Sequence, residues 1–170
     1  MNATLYFFLF LAFQSSPELP APATELTWYT WEEAMVLQQK NPKKLMVDVY
    51  TDWCGWCKKM DRETFEHPEV AAFLMEHFYP IKLDAEQRET IVFDGVEFDW
   101  RDAGRNGIHM LAYSLLDGQM SYPTIVFLNE RTERIMISKG YKKTGRMLKE
   151  LQFIHDERYR DTTLDAFLLE

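Results

Sequence analysis

Cys54 and Cys57 are the two cysteines of this chain, and they offer the most distinctive chemistry in it. Thiols separated by two residues can close a small disulfide and reopen it without moving the rest of a fold. A pair meant as a staple would link distant segments, because a long closed loop removes more unfolded-state entropy than a short one. Placement adds to spacing. The mostly apolar run 45–50 reads as a buried strand with Asp48 in its middle, and helical residues begin near Gly55. Cys54 is therefore expected at a helix N-terminus, where unpaired backbone N–H groups stabilise an anion. Thiolate is the nucleophile, and such positions lower a thiol pKa from about 8.5 to roughly 3.5–7.5. Cys54 is the candidate attacker, and Cys57, one helical turn on, the candidate resolving thiol.

Rival chemistries fit less well. A structural zinc site needs four Cys or His ligands, and His67, His77, His109 and His155 are scattered without ligand spacing. Covalent haem attachment wants a histidine directly after the second cysteine, where this chain has Lys58. No metal and no cofactor are expected. A purely structural disulfide and a redox-inactive polypeptide-binding module stay open as alternatives. A net charge of −8 with no basic stripe argues against a nucleic-acid partner. The pairs Lys43-Lys44, Lys58-Lys59 and Lys142-Lys143 read as solvated helix ends or loops.

The elements that must hold the cysteines follow from the pattern around them. With 170 residues, 46% of them hydrophobic, the chain suits one compact domain, expected over residues 25–160, with a C-terminal tail at 161–170. Thr30 and Glu33 have capping-box spacing before a helix carrying Ala34, Val36 and Leu37, which Asn41-Pro42 stops near Lys40. A second helix is expected over 68–78 with Val70, Phe73 and Leu74 on one face, then a strand over 79–83. The stretch 89–120 stands apart. Asp94-Gly95 between apolar flanks signals a tight hairpin, and Ile108, Leu111, Ala112 and Leu115 fall at helical spacing before Asp117-Gly118. Strands at 124–128 and 134–139 and a helix from Thr144 to about Arg158, striped by Met147, Leu148, Leu151 and Ile154, complete an α/β layered domain.

The N-terminus differs from the rest. Residues 5–13 are an unbroken apolar run, too short for the about 20 residues of a membrane span but of the length of a signal-peptide core. No Lys or Arg precedes it, and Ala12 and Ser15-Ser16 are the candidate cleavage positions. A hydrophobic segment or signal peptide is expected over 1–16 and a Pro/Ala/Ser-rich linker over 17–24. No cysteine lies near the run, so lipid attachment through one is excluded.

The segment Val47-Asp48-Val49-Tyr50-Thr51-Asp52-Trp53-Cys54-Gly55-Trp56-Cys57-Lys58 resembles the active-site stretch of the thioredoxin-like family. Tyr122-Pro123-Thr124 before an apolar strand is similar to that family's cis-proline turn, and Gly140-Tyr141 to the glycine bordering its substrate groove. The resemblance covers about residues 27–159. It implies an α/β fold with a central mixed sheet flanked by helices and an insertion, about 89–120, before the cis-proline strand. It implies that Asp48 is the buried carboxylate that exchanges a proton when Cys57 attacks, with Lys82 as its neighbour. It implies that Tyr122, Pro123 and Gly140 line the substrate groove and that Trp53 and Trp56 form an apolar rim for docking polypeptide.

Two features depart from the family pattern. Trp56 stands where proline is usual, and redox poise in this fold spans about −270 to −120 mV, so the motif alone leaves direction open. The 89–120 insertion resembles insertions in exported thioredoxin-like proteins and is expected to shape partner choice; the plain alternative is a surface elaboration. The expectation is a reductase or isomerase acting on disulfides of exported polypeptides, with a disulfide-introducing oxidant as the same-fold alternative. A membrane or soluble thiol electron donor is implied, as are a monomer and an exported location, periplasmic in a bacterium and secretory or extracellular otherwise.

Overall fold

The computed structural model describes residues 25–104 and 106–169; the hydrophobic run and linker expected over 1–24 lie outside the described residues. Helix α1 (Trp31–Lys40) begins where the capping box places it. Thr30 Oγ1 accepts the Glu33 N–H at 3.2 Å, and the Glu33 carboxylate accepts the Thr30 N–H at 2.9 Å. Strand β1 (Lys44–Tyr50) then leads directly to the cysteines and to helix α2 (Gly55–Met60), which continues into a π-helical turn, Asp61–Phe65. Helix α3 (Pro68–His77) starts with proline at its first position, where a missing N–H costs nothing, and returns the chain to strand β2 (Phe78–Asp84).

The four-stranded sheet is completed by β7 (Thr124–Leu128) and β8 (Arg134–Lys139), in the order β2-β1-β7-β8. Strands β1 and β2 are parallel; β1 with β7 and β7 with β8 are antiparallel, so the sheet is mixed. Tyr29 bridges to Ile81 along the outer edge of β2. Helix α5 (Thr144–His155) closes the layer that α2 and α3 begin.

Both sheet faces are covered, which is why β1 and β7 read as nearly continuous apolar runs. Leu45, Val47 and Val49 face one core with Trp31 and Ala34 of α1, and Met46 faces the other with Met60, Leu74, Met147 and Leu151. Alternation along a strand puts Asp48 on the Met46 side, beneath the layer that carries the cysteines. Val36, expected on the apolar face of α1, is exposed; Trp31 fills the core instead.

The insertion is more than a surface elaboration. Strands β3 (Ile91–Phe93) and β4 (Val96–Phe98) form the expected hairpin, with Asp94 at φ +52° and Gly95 at φ +74°, the left-handed pair its tight turn requires. Strands β5 (Trp100–Arg101) and β6 (Ile108–His109) form a second ribbon, and helix α4 (Met110–Leu115) follows. Ile108, expected on the helix, belongs to β6; the helix starts later because the His109 imidazole accepts the Leu111 N–H at 3.3 Å and caps it. Ile91, Leu111, Ala112 and Leu115 enter the α1-side core, so the insertion is held by burial. At the other end, residues 161–169 include a short helix, α6 (Leu164–Phe167), whose Phe167 ring lies 5.3 Å from that of Phe153.

Two lysines expected in solvent are buried. Lys44 is fixed by Glu130 at 2.7 Å and Glu157 at 3.2 Å, and these carboxylates hold its pKa above the ordinary lysine value although burial opposes them. Lys142 is 5% exposed, and burial lowers its pKa.

Candidate functional site

Cys54 is the N-cap of α2. Its backbone is extended, its N–H donates to Thr51 O at 3.0 Å, and its sulfur accepts the Cys57 N–H at 3.1 Å. The two cysteines are joined, with Sγ atoms 2.12 Å and Cα atoms 5.3 Å apart. The continuous helical run from Gly55 through Phe65 starts at Cys54 and directs the Cys57 N–H of its first turn at the Cys54 sulfur, the arrangement that favours a sulfur anion once the bond is reduced. Both sulfurs belong to nearly buried residues, Cys54 at 5% exposure and Cys57 at 2%. Cys54 is thus slightly the less enclosed of the two.

Asp48 is fully buried. Its Oδ2 accepts Lys82 Nζ at 2.6 Å, while Oδ1 has no hydrogen-bond partner among the described residues. Burial raises its pKa to about 6, against the pull of Lys82, and the Asp61 charge adds to the rise. Lys82 also bonds Asp61, and its ammonium lies over the rings of Trp28, Tyr50 and Phe65 at 4.6, 4.9 and 5.6 Å. Burial opposes the Lys82 charge, but Asp48 and Asp61 outweigh it and keep its pKa above the ordinary value. The resemblance implied Lys82; Asp61 was not foreseen. A carboxylate four residues after Cys57 was the signal that could have found it, since α2 and the π-helical turn carry it back toward β2.

Trp53 directly precedes Cys54 and Trp56 lies between the two cysteines; they are 61% and 58% exposed, so neither is core. Each has an aromatic neighbour from a distant loop: Trp53 stands 6.0 Å from Tyr122, and Trp56 5.4 Å from Tyr141, ring to ring. The structure therefore brings the Tyr122-Pro123 turn against Trp53 and the Gly140-Tyr141 turn against Trp56, both beside the cysteines. The Tyr122-Pro123 peptide is cis, and Gly140 has φ +81°. Lys142 fixes the second turn from beneath, donating to the carbonyls of Ser138, Lys139 and Gly140 at 3.0, 3.1 and 2.7 Å. A lysine whose ammonium satisfies three main-chain acceptors has no need of solvent, which is why the expectation for it was wrong.

On the Trp53 side the insertion reaches the site. A cleft of about 690 Å³ is lined by Trp53 and Tyr122 from one direction and by Asn106, Ile108 and Met120 from the other, with Glu86 between. Glu86 accepts the Trp53 indole N–H at 2.9 Å and the Asn106 amide at 3.1 Å, tying the motif to the insertion. Sequence reasoning missed Glu86, because its role depends on a tryptophan 33 residues away. No group of three or more His, Cys, Asp or Glu side chains among the described residues could hold a metal ion. The His77 and His155 rings lie 4.1 Å apart at a 50° tilt, and His109 caps α4.

The sequence matches the Thioredox_DsbH family, described as "Protein of unknown function, DUF255", over residues 10–155. The chain belongs to that family. Among its relatives is the uncharacterized protein B0495.5 of Caenorhabditis elegans, 29% identical over 155 residues, 81% of this chain and 20% of that protein. A 45-residue stretch is 38% identical to the thiol:disulfide interchange protein DsbD of Photorhabdus laumondii, covering 26% of this chain and 8% of that protein. The chain thus spans a fifth or less of the length of these relatives. A solved DsbH oxidoreductase superposes with TM-score 0.58 at 16% identity, covering 84% of this chain and 94% of that one. A Thermus thermophilus thioredoxin superposes with TM-score 0.57 at 20% identity, covering 76% and 87%. These likenesses show that the Thioredox_DsbH domain here has the thioredoxin fold, as the resemblance implied. Among the described residues no helix is long and apolar enough to cross a membrane.

Proposed function

We propose that this Thioredox_DsbH chain is a thiol–disulfide oxidoreductase that reduces or isomerises disulfides of exported polypeptides through Cys54 and Cys57. The observation that carries the reading is the N-cap sulfur of Cys54, bonded to Cys57 and receiving the Cys57 N–H. The names of the DsbD relative and the DsbH structure agree with it.

In the reduced protein, the Cys54 thiolate attacks one sulfur of a substrate disulfide. A mixed disulfide forms, and the other substrate sulfur leaves as a thiolate and takes a proton from water. Cys57 gives its proton to Asp48, whose pKa near 6 makes it a carboxylate at neutral pH. The Cys57 thiolate attacks Cys54 Sγ, the second substrate sulfur leaves, and the protein holds the Cys54–Cys57 disulfide. Two electrons have passed to substrate, so a dithiol donor, membrane-bound or soluble, restores the protein by the reverse exchange. Trp53, Trp56, Tyr122, Pro123 and Gly140 receive the substrate segment, and no metal or cofactor takes part. The apolar run at residues 5–13 supports export, to the periplasm in a bacterium and to the secretory path otherwise. The domain works as a monomer.

The test is a trapping experiment on the Cys57→Ser variant. Mixed disulfides with exported polypeptides should accumulate on Cys54 and dissolve with dithiothreitol, and Cys54→Ser should trap none. A redox titration in glutathione buffers should give a potential near the about −270 mV of reducing members of this fold. Identical behaviour of the two serine variants would overturn the assignment of attacker and resolver, and a potential near −120 mV the direction.

A further inference from the structure

The surface around the cysteine pair is electrically lopsided. In the cleft between Trp53 and the insertion, Glu86 is bonded among the described residues by neutral donors, the Trp53 indole and the Asn106 amide, so none of these contacts cancels its charge. A contiguous cleft of about 510 Å³ shares Glu86 and Asn106 and adds Asp52, Asp84 and Asp102. Arg88 is the cation among its described lining residues, and its guanidinium is laid over the Trp100 ring at 4.4 Å. No ion pair among the described residues engages Asp52, Asp84, Glu86 or Asp102, whereas exposed carboxylates elsewhere, such as Asp117 and Glu133, are paired with arginines. The crowding is felt locally. The Asp84 carboxyl is raised by burial and, against a bond from the Glu86 N–H, by the charges of Asp52, Glu86 and Glu89. The Tyr122 phenol is pushed up to about 12, first by burial and then by Glu86 and Asp84. On the far side of the pair the charges are mixed: Lys59 lies over the rings of Trp56 and Tyr141 at 5.2 and 5.5 Å and is paired with Glu63 at 3.8 Å, and Lys58 beside it is exposed.

We propose that the Trp53 side of the site selects polypeptide segments carrying Lys or Arg within a few residues of the cysteine that Cys54 attacks. This rests on the oxidoreductase reading and adds the class of substrate. Shape and charge agree on it. Ile108, Met120 and the tryptophan face offer apolar surface for the methylene stem of a long basic side chain, and Glu86 offers a carboxylate for its head. The exposed ring faces of Trp53 and half-buried Tyr122 attract a cation as well. An acidic flank would meet several like charges that have no ion pair among the described residues. The cleft is continuous with the residue next to Cys54, so occupation of it and attack by Cys54 belong to one encounter.

The experiment uses the reduced full chain and a set of disulfide-linked peptides identical except for one residue near the cysteine. That residue is Lys, Gln or Glu, placed on either side in turn. We expect kcat/KM in the order Lys, Gln, Glu, with a Lys-to-Glu ratio of about tenfold at low ionic strength that shrinks in about 0.5 M salt. The exposed-site variant Asp102→Asn and the cleft variant Glu86→Gln should each narrow that ratio. Equal rates for the three peptides, or a preference for Glu, would overturn the charge selection and leave the oxidoreductase reading standing. Failure to reduce even the Gln peptide would overturn both.

Discussion

Lys82 Nζ lies 2.6 Å from Asp48 Oδ2 and is bonded to Asp61 as well, so one ammonium serves two carboxylates of very different burial. Asp48 is closed to solvent, and Asp61 is a third exposed on its side chain. The bridge links the buried carboxyl beneath the cysteine layer to the surface through a single side chain. It also sets a conflict, because desolvation raises the Asp48 pKa while Lys82 lowers it, and desolvation wins.

The conflict has a sign in stability. The folded-state pKa of Asp48 is about 6, against 3.8 for the model carboxyl, so between those values the folded protein binds this proton more tightly than the unfolded chain. Stability from the group is full below pH ~4 and is lost as pH rises through about 6. Two pKa units correspond to about 3 kcal/mol. Unfolding free energies of the natural chain and of Asp48→Asn should therefore diverge with pH. The variant, lacking the titration, should gain on the natural protein by roughly 2–3 kcal/mol between pH 4 and pH 7. Parallel curves across that window would mean that Asp48 is not held out of water.

How far could this site be read before the fold was known? The cysteines, their helix start and the burial of Asp48 were legible because each depends on neighbours close in sequence: a strand, a turn and a cap. The capping box at Thr30 and the Asp94-Gly95 turn are legible for the same reason. What was hidden depends on partners brought in from afar. Asp61 meets Lys82 across 21 residues, Glu86 meets Trp53 across 33, and Lys44 meets Glu130 across 86. Lys142 is local yet was misread, since a lysine wrapped back onto its own turn carbonyls has the same sequence signature as a solvated one. Strands β5 and β6 have two residues each, too short for any period to show.

The two neighbours of Asp48 act through opposite signs, which separates electrostatics from general damage. Removing the Lys82 charge deletes the main force lowering the Asp48 pKa, so Lys82→Met should raise it above about 6. Removing the Asp61 charge deletes a force raising it and frees Lys82 for Asp48, so Asp61→Asn should lower it. Carbon-detected titration of the Asp48 carboxyl reads both shifts directly. The pH profile of the step in which Cys57 releases substrate should move the same way, toward alkaline pH in Lys82→Met and acid in Asp61→Asn. Movement of both variants in one direction would show that the shared ammonium does not govern this carboxyl.

Gly107 tests whether the insertion belongs to the site or merely lies beside it. It has φ +74°, and a Cβ built there would stand 2.1 Å from the Trp100 ring, in the body of an aromatic that Arg88 covers on one face. Alanine must displace Trp100, break its indole bond to Asn106 O and loosen the β5–β6 ribbon. The main core lies elsewhere, around α1, α5 and the four-stranded sheet, so Gly107→Ala should remain folded with a loss of about 1–3 kcal/mol and changed tryptophan fluorescence. Asn106 then no longer holds Glu86 against Trp53, and the cleft beside Cys54 loses one wall. Reduction of a small disulfide such as oxidised glutathione, which needs little more than the sulfur, should persist near the natural rate. Reduction of a disulfide within a polypeptide should fall several-fold, because the flanking residues lose their wall. If both substrates slow equally, the insertion acts by steadying the cysteine motif; if neither slows, the wall it builds takes no part in binding.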